Sequence, residues 1–236
     1  MTEPGERGLR DASAVSGRDR IYDPLRRENL GRSVLWALVS SKPVPLGDIP
    51  NFRGSGIYAI YYAGSNKLYA RISSAECDIP IYVGKADPAG SRKGQNVGPA
   101  WEGTKLRDRL RQHARKIGTA LDLELGDFLA RYLPADDLFT PMAERLMISD
   151  LQPVWNVVLE GFGVNQQGAG REGKQLRPKW HEVHRGIDWA DGMPAQPGGA
   201  EPLRRAIAAH LERHGSAPSA SDGEPGQPGL TDLSPI

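Results

Sequence analysis

The chain has 236 residues, enough for one large domain or two small ones. Thirty Lys and Arg stand against 29 Asp and Glu, a net charge of +1. That excludes a generally cationic coating protein and an acidic tail protein, but not a basic groove balanced by acidic surface elsewhere. With 28 Gly, 19 Pro and 39% hydrophobic residues, part of the chain is expected to be loop or tail. The single cysteine, Cys77, excludes an internal disulfide framework and fits a reducing compartment. The opening residues lack the apolar stretch of a secretory signal. The longest apolar run, Val34 to Val39, is far short of the ~20 residues a membrane span needs. The expectation is a soluble cytoplasmic protein with no membrane partner.

Residues 1–20 read as a flexible leader, 21–190 as the folded body and 191–236 as a disordered tail. That tail holds seven Gly and seven Pro, and one island, Pro202 to His214, has Leu203, Ile207 and Leu211 at helical spacing. In the body, Asn29 is placed to cap a helix carrying Leu30, Val34, Leu35 and Leu38. Gly56–Tyr62, Lys67–Ile72 and Ile79–Val83 are rich in β-branched and aromatic residues and predict strands of a small, mostly antiparallel sheet. A Gly-rich loop runs from Gly84 to Gly103, followed by an amphipathic helix over Thr104–Ile117 with Leu106, Leu110, Ala114 and Ile117 on one face. A helix is predicted over Leu125–Tyr132, another from the Thr140-Pro141 start to about Leu151, and a strand over Val154–Leu159. The fold class is α+β, a small sheet flanked by helices.

Charge is segregated within the body. Tyr82 to Ile117 holds nine Lys and Arg against three acids, a stretch suited to face phosphates. Six residues in it and beside it stand out. Tyr58 and Tyr82 sit on strands, and Tyr82 opens Tyr82-Val83-Gly84-Lys85. Arg109 and His113 are four apart and share a helix face. Glu144 has Met147, Ile148 and Leu151 at +3, +4 and +7, so its carboxylate lies on or beside an apolar face and must meet a cation, such as Arg109, or a metal. Asn156 follows in Pro153-Val154-Trp155-Asn156. Taken singly, each has a commonplace reading as a core tyrosine, a surface histidine or a turn asparagine. The joint arrangement is what carries information.

Gly56-Ile57-Tyr58 followed by Tyr82-Val83-Gly84, then Arg109, Glu144 and Asn156, resembles the GIY-YIG nuclease superfamily, with Val in place of the usual middle Ile. Tyr22-Asp23-Pro24-Leu25, Glu28 to Ser33, Pro80 to Ala86, Pro153 to Val158 and Gly161-Phe162-Gly163 are similar to a narrower branch, the GIY-YIG type II restriction endonucleases that cut CCGCGG (SacII specificity). The likeness covers about residues 21–190. It implies a site-specific deoxyribonuclease acting on double-stranded DNA with Mg²⁺, one ion per active site, held by Glu144. Catalytic residues would be Tyr58, Tyr82, Lys85, Arg109, His113, Glu144 and Asn156. Arg109 would hold a phosphate oxygen. Tyr58, His113 or Lys85 would be the base, with Arg109 or Lys85 expected to lower the Tyr58 pKa. A palindromic target and one site per chain imply a homodimer on DNA, and a restriction enzyme implies a protective DNA methyltransferase.

Base readers are expected among donors suited to guanine and acceptors suited to cytosine. The candidates are Arg92, Lys93, Gln95 and Asn96 in the first loop, and Asn165, Gln166, Gln167, Arg171 and Gln175 after the core, followed by Arg177, Lys179, Trp180 and His181. His181 and His184 have metal spacing, but no further Cys or His lies near them in sequence, so zinc is rejected. Two alternatives remain open: a GIY-YIG nuclease of DNA repair or of a mobile element, and a non-catalytic DNA-binding module on the same scaffold.

Overall fold

The computed structural model describes residues 23–88, 90, 101–166 and 175–215. At its centre is a four-stranded antiparallel sheet in the order β1-β4-β2-β3, made of β1 (Val44–Pro45), β2 (Gly56–Tyr62), β3 (Pro80–Ala86) and β4 (Phe128–Pro134). Every residue of β2 is buried, so both faces of the sheet are covered. Ile57, Ala59 and Tyr61 point to a cluster built with Leu35 and Leu38 of α1 (Arg27–Val39) and Ala143 and Met147 of α3 (Thr140–Leu151). Tyr58, Ile60 and Tyr62 point the other way, to Leu106, Leu110, Ala114 and Ile117 of α2 (Lys105–Thr119). The strand therefore reads as a continuous apolar run, as a strand covered on both sides should. The architecture is the expected α+β one, a small antiparallel sheet between helices.

Three elements differ from their sequence reading. Lys67–Ile72 is a 3₁₀ helix, not a strand: Asn66 caps it by accepting from the Leu68 N–H at 3.0 Å, and Tyr69 and Ile72, three apart, are its buried residues. Leu125–Tyr132 is not helical; a single 3₁₀ turn, Leu125–Asp127, leads into β4, where Phe128 and Ala130 alternate inward and the strand pairs with both β1 and β2. The predicted strand at Val154–Leu159 is the short helix α4 (Val154–Val157), entered through Pro153. Its neighbours Val154 and Trp155 are both buried, which a strand with one covered face does not allow.

Two helix starts also move. Arg26 occupies the N-cap position of α1, and the Asn29 side chain donates instead to the Asp23 carbonyl. In α3 the N-cap position is Phe139, and the Thr140 hydroxyl donates to the Asp136 carbonyl. The chain continues through α5 (Lys179–Val183), α6 (Asp188–Asp191) and α7 (Ala200–His214), and Trp180, Val183, Ile207 and Leu211 join the core on the α2 side. Helix α7 falls within the stretch read as a tail. It buries Ile207, His210 and Leu211 and packs on Lys67–Ile72 and on α5. His210 Nε2 meets the carbonyl of Gln152 at 2.7 Å, the left-handed residue that ends α3. Among the described residues no helix is long and apolar enough to cross a membrane.

Candidate active site

The sheet register brings the first chemistry together. In β2 and β3, Tyr58 pairs with Gly84 and Ile60 with Tyr82, so both phenols lie on the α2 face. The Tyr58 ring lies across Gly84: a Cβ there would come within 2.5 Å of the hydroxyl and 2.7 Å of the ring carbon that bears it. Gly56 has φ +155 and no room on its other side, where a Cβ would meet the Leu133 carbonyl at 2.1 Å. The glycines of both tripeptides are thus dictated by close approach, one to a phenol and one to backbone.

Helix α2 supplies the next groups. His113 belongs to its apolar stripe, with Leu106, Leu110, Ala114 and Ile117, and is buried. Its Nε2 lies 2.7 Å from the hydroxyl of Tyr58, itself fully buried. Tyr82 is half-buried, and its ring stands 6.2 Å from that of Tyr58 and 5.3 Å from that of His113. Arg109 lies one turn before His113. Its guanidinium donates to the Gln112 side chain at 2.8 Å and to the Gly163 carbonyl at 2.9 Å, and it is near enough to both phenols to pull their proton affinities down.

Glu144 reaches the site from α3, on the opposite face of β3, and is half-buried. Burial raises its pKa; the Lys85 ammonium is the strongest opposing influence, Asp87 adds to the rise, and the Lys85 backbone N–H donates to the carboxylate. Lys85 is ion-paired to Asp87. The cation beside Glu144 is therefore Lys85, where the sequence left open a cation, such as Arg109, or a metal. Asn156, on α4, forms a two-point bridge to the free edge of β3: its Oδ1 accepts from the Val83 N–H at 2.8 Å and its Nδ2 donates to the Val83 carbonyl at 2.8 Å. Two phenols, an imidazole, a guanidinium and a carboxylate thus gather about the edge strand β3 from three elements besides the strand itself.

Residues 50–211 match the family model of the Eco29kI GIY-YIG domain, more than half of the chain. The chain belongs to that family. It is a restriction-type nuclease domain, and the matched span takes in β2, every group of the site and most of α7. Among curated proteins none matches the chain.

Protonation in this Eco29kI-type site departs from expectation. A cation was expected to lower the Tyr58 pKa. Burial instead pushes it well above its ordinary value, Tyr82 adds to the rise, and Arg109 only partly opposes. His113 is driven well below its ordinary value, first by burial and then by Arg109 and Lys116, so its ring is neutral. The pair at rest is a protonated phenol and a neutral imidazole.

The basic helix face divides into two rows. Arg107 and Arg111 turn away from the site and bond the side chain of Asn51, with Arg111 also bonding the Ile49 carbonyl. A cleft of about 600 Å³ lined by Leu46, Ile49, Arg111 and Arg115 lies on that side. Arg109, Gln112 and Lys116 form the row that faces the turn at 161–165. Gln112 bonds Asn165 at 2.8 Å, and Lys116 bonds the carbonyls of Phe162 at 2.7 Å and Val164 at 2.5 Å. Partial burial and Arg109 lower Lys116 to about 8.

Of the proposed base readers, Asn165, Gln166 and Gln175 are exposed, and Asn165 is tied to α2 through Gln112. Arg92, Lys93, Gln95, Asn96, Gln167 and Arg171 lie outside the described residues. Three residues named after them are structural. Arg177 is buried, paired with Glu182 at 2.9 Å and bonded to the carbonyls of Ala190, Asp191 and Met193. Trp180 and His181 are fully buried. His184 is also in the core, between the Tyr69 hydroxyl at 2.6 Å and Asp122 at 3.0 Å.

Sequence reading passed over Gln112, Lys116, Phe162 and Gly163 as neighbours of the site. Gln112 and Lys116 carried a usable signal, since they fall three and seven residues after Arg109 on one helix face. Phe162 and Gly163 entered only through the likeness of Gly161-Phe162-Gly163, which gives no contact, because their contacts are made across the fold.

Proposed function

We propose that this chain is a type II restriction endonuclease that hydrolyses both strands of double-stranded DNA at the GC-only palindrome CCGCGG. It uses one Mg²⁺ per active site, acts as a homodimer on DNA, and shares the cytoplasm with a methyltransferase that protects the same sequence. The observation that carries the cleavage reading is the Tyr58–His113 contact of 2.7 Å beside Tyr82 and Arg109, with Glu144 across the strand. The palindrome rests on the likeness of the segments from Tyr22 to Gly163 to enzymes of that specificity. The dimer rests on one site per chain facing a twofold-symmetric target.

Each group then has a task. Tyr82, the less buried phenol, holds the attacking water. A buried Tyr58 cannot act as a phenolate at neutral pH, so it removes a proton only as it passes its own to His113, whose neutral Nε2 is placed to accept. Arg109 keeps donors directed at a nonbridging phosphate oxygen as charge grows there. Among the described residues the donor offered at Glu144 is its own half-buried carboxylate, with Asp87 close enough to act on its charge. That carboxylate suits a hard ion that keeps most of its water and takes phosphate oxygens as ligands. When bound, Mg²⁺ supplies charge stabilisation at the phosphoryl oxygens and the leaving oxygen. Lys85 balances the Glu144 charge, and Asn156 holds the β3 backbone that carries Tyr82.

The test is digestion of unmethylated DNA with Mg²⁺ and mapping of the ends, beside Glu144→Ala. Cuts at CCGCGG that vanish in the variant, while it still shifts the duplex in Ca²⁺, are expected. Cleavage by Glu144→Ala at the parent rate removes the metal assignment, and ends mapping elsewhere remove the palindrome.

A further inference from the structure

Two adjacent residues with no charge of their own touch three members of the site. The Phe162 ring lies flat on His113, centroids 4.4 Å apart and planes 18° from parallel. It stands edge-on to Tyr82 at 4.8 Å and is backed by Trp155 at 4.6 Å and Trp180 at 5.0 Å. The carbonyl of Gly163 accepts from Arg109 Nη2 at 2.9 Å. A Cβ on Gly163 would lie 2.9 Å from that nitrogen and 3.0 Å from the Tyr82 hydroxyl. Lys116 anchors the turn through the Phe162 carbonyl.

We propose that Phe162 and Gly163 are positioning residues for the hydrolytic step. Phe162 fixes the His113 ring against the Tyr58 hydroxyl and keeps water off it, and Gly163 leaves the space in which the Arg109 guanidinium sits beside Tyr82. The proposal rests on the cleavage reading above and extends it to residues that touch neither phosphate nor metal.

The physical need is specific. Among the described residues His113 Nδ1 is buried and has no hydrogen-bond partner, so no second bond from them fixes which edge of the ring meets Tyr58. A stacked ring on its face restrains that orientation while leaving the nitrogen edge free to take a proton. The groups facing His113 are Tyr58 from β2, Tyr82 from β3, and Arg109 and Lys116 from α2. The two cations disfavour imidazolium, and exclusion of water by Phe162 adds to that. A small residue is required at 163 because both neighbours there are groups whose placement the reaction uses.

The test compares full-length parent, Phe162→Leu and Gly163→Ala on an unmethylated duplex bearing CCGCGG with Mg²⁺, after thermal melting shows each is folded. Phe162→Leu is expected to lower kcat by roughly tenfold or more with KM within about twofold. Its acid limb of kcat against pH is expected to move up by about half a unit or more, as His113 regains water and proton affinity. Gly163→Ala is expected to lower kcat by roughly tenfold with the limb unmoved. A packing role alone would lower the melting temperature and leave kcat and the limb in place, which overturns the proposal. If Phe162→Leu does not fold, parental kcat in Gly163→Ala overturns it. A parent that does not cut brings down the cleavage reading and this proposal together. A parent that cuts, with both variants kinetically unchanged, brings down this proposal alone.

Discussion

Tyr58 and His113 face each other with their proton affinities driven apart, the phenol up and the imidazole down, both chiefly by burial. In the proposed mechanism a proton leaving Tyr58 passes to His113, and only as Tyr58 receives another. Tyr58→Phe breaks that route while keeping the ring over Gly84. Cleavage is expected to fall by a factor of about 10² to 10⁴, and duplex affinity in Ca²⁺, read by gel shift, to stay within about threefold, since no phosphate ligand is removed. Cleavage at the parental rate would return the base role to Lys85 or to His113 alone. At this scale the sequence was informative where spacing is local: Arg109 and His113 share a helix face because they are four apart. It was misleading on the Tyr58 pKa because two opposed influences act there, and only the fold shows that burial outweighs the guanidinium.

At the scale of elements, the edge strand β3 organises the site. Its outward groups at Val83 are held by Asn156 and its Lys85 N–H by Glu144, so a helix on each side finishes what a neighbouring strand would otherwise do. Asn156→Ala leaves a partly buried N–H and C=O unpaired together. The expected cost is about 1–3 kcal/mol, read as a lower urea midpoint, with slower cleavage because Tyr82 rides on the loosened strand. An unchanged midpoint would mean that water replaces the bridge at no cost. The same bridge explains why the Val154–Leu159 reading failed. Val154-Trp155-Asn156-Val157-Val158 has the composition of a strand, but its residues face a core built from distant segments, and a short helix presents Trp155 inward while Asn156 meets β3. Lys67–Ile72 failed for a related reason, since the Asn66 cap and the pairing of Tyr69 with His184 and Trp155 are not visible in a propensity count. The strands β2 and β3 and the helices α2 and α3 were legible because each carries a long pattern of its own.

For the molecule as a whole, two measurements follow from charge and symmetry. If two copies act on one palindrome, supercoiled plasmid is expected to pass to linear product with little nicked circle, and the DNA-bound mass to equal two chains. Persistent nicked circle with one chain bound would contradict the homodimer. Stability against pH has its own sign. His113, His181 and His210 are all lowered by burial, His181 to about 3, so below pH ~6.5 the unfolded chain binds protons that the folded chain refuses. Stability is complete above that pH and falls as the pH drops from ~6.5 toward 3, by up to about 1.4 kcal/mol per unit for each histidine still held neutral. Glu144, whose pKa is raised, acts in the opposite sense near its own range and offsets part of the loss. Urea midpoints at pH 8, 6 and 5 test this, and a flat series would mean that the buried imidazoles hydrate without unfolding.

Both borders of the sheet are blunted. One ends in β1, two residues long with Pro45 offering no N–H, and on the other the outward groups of Val83 and the Lys85 N–H are taken by side chains of the same chain. A second copy that tried to extend the ladder along β3 would meet those positions already filled. For the proposed dimer this favours contact through helices, turns or the nucleic acid over continuation of the sheet at β3.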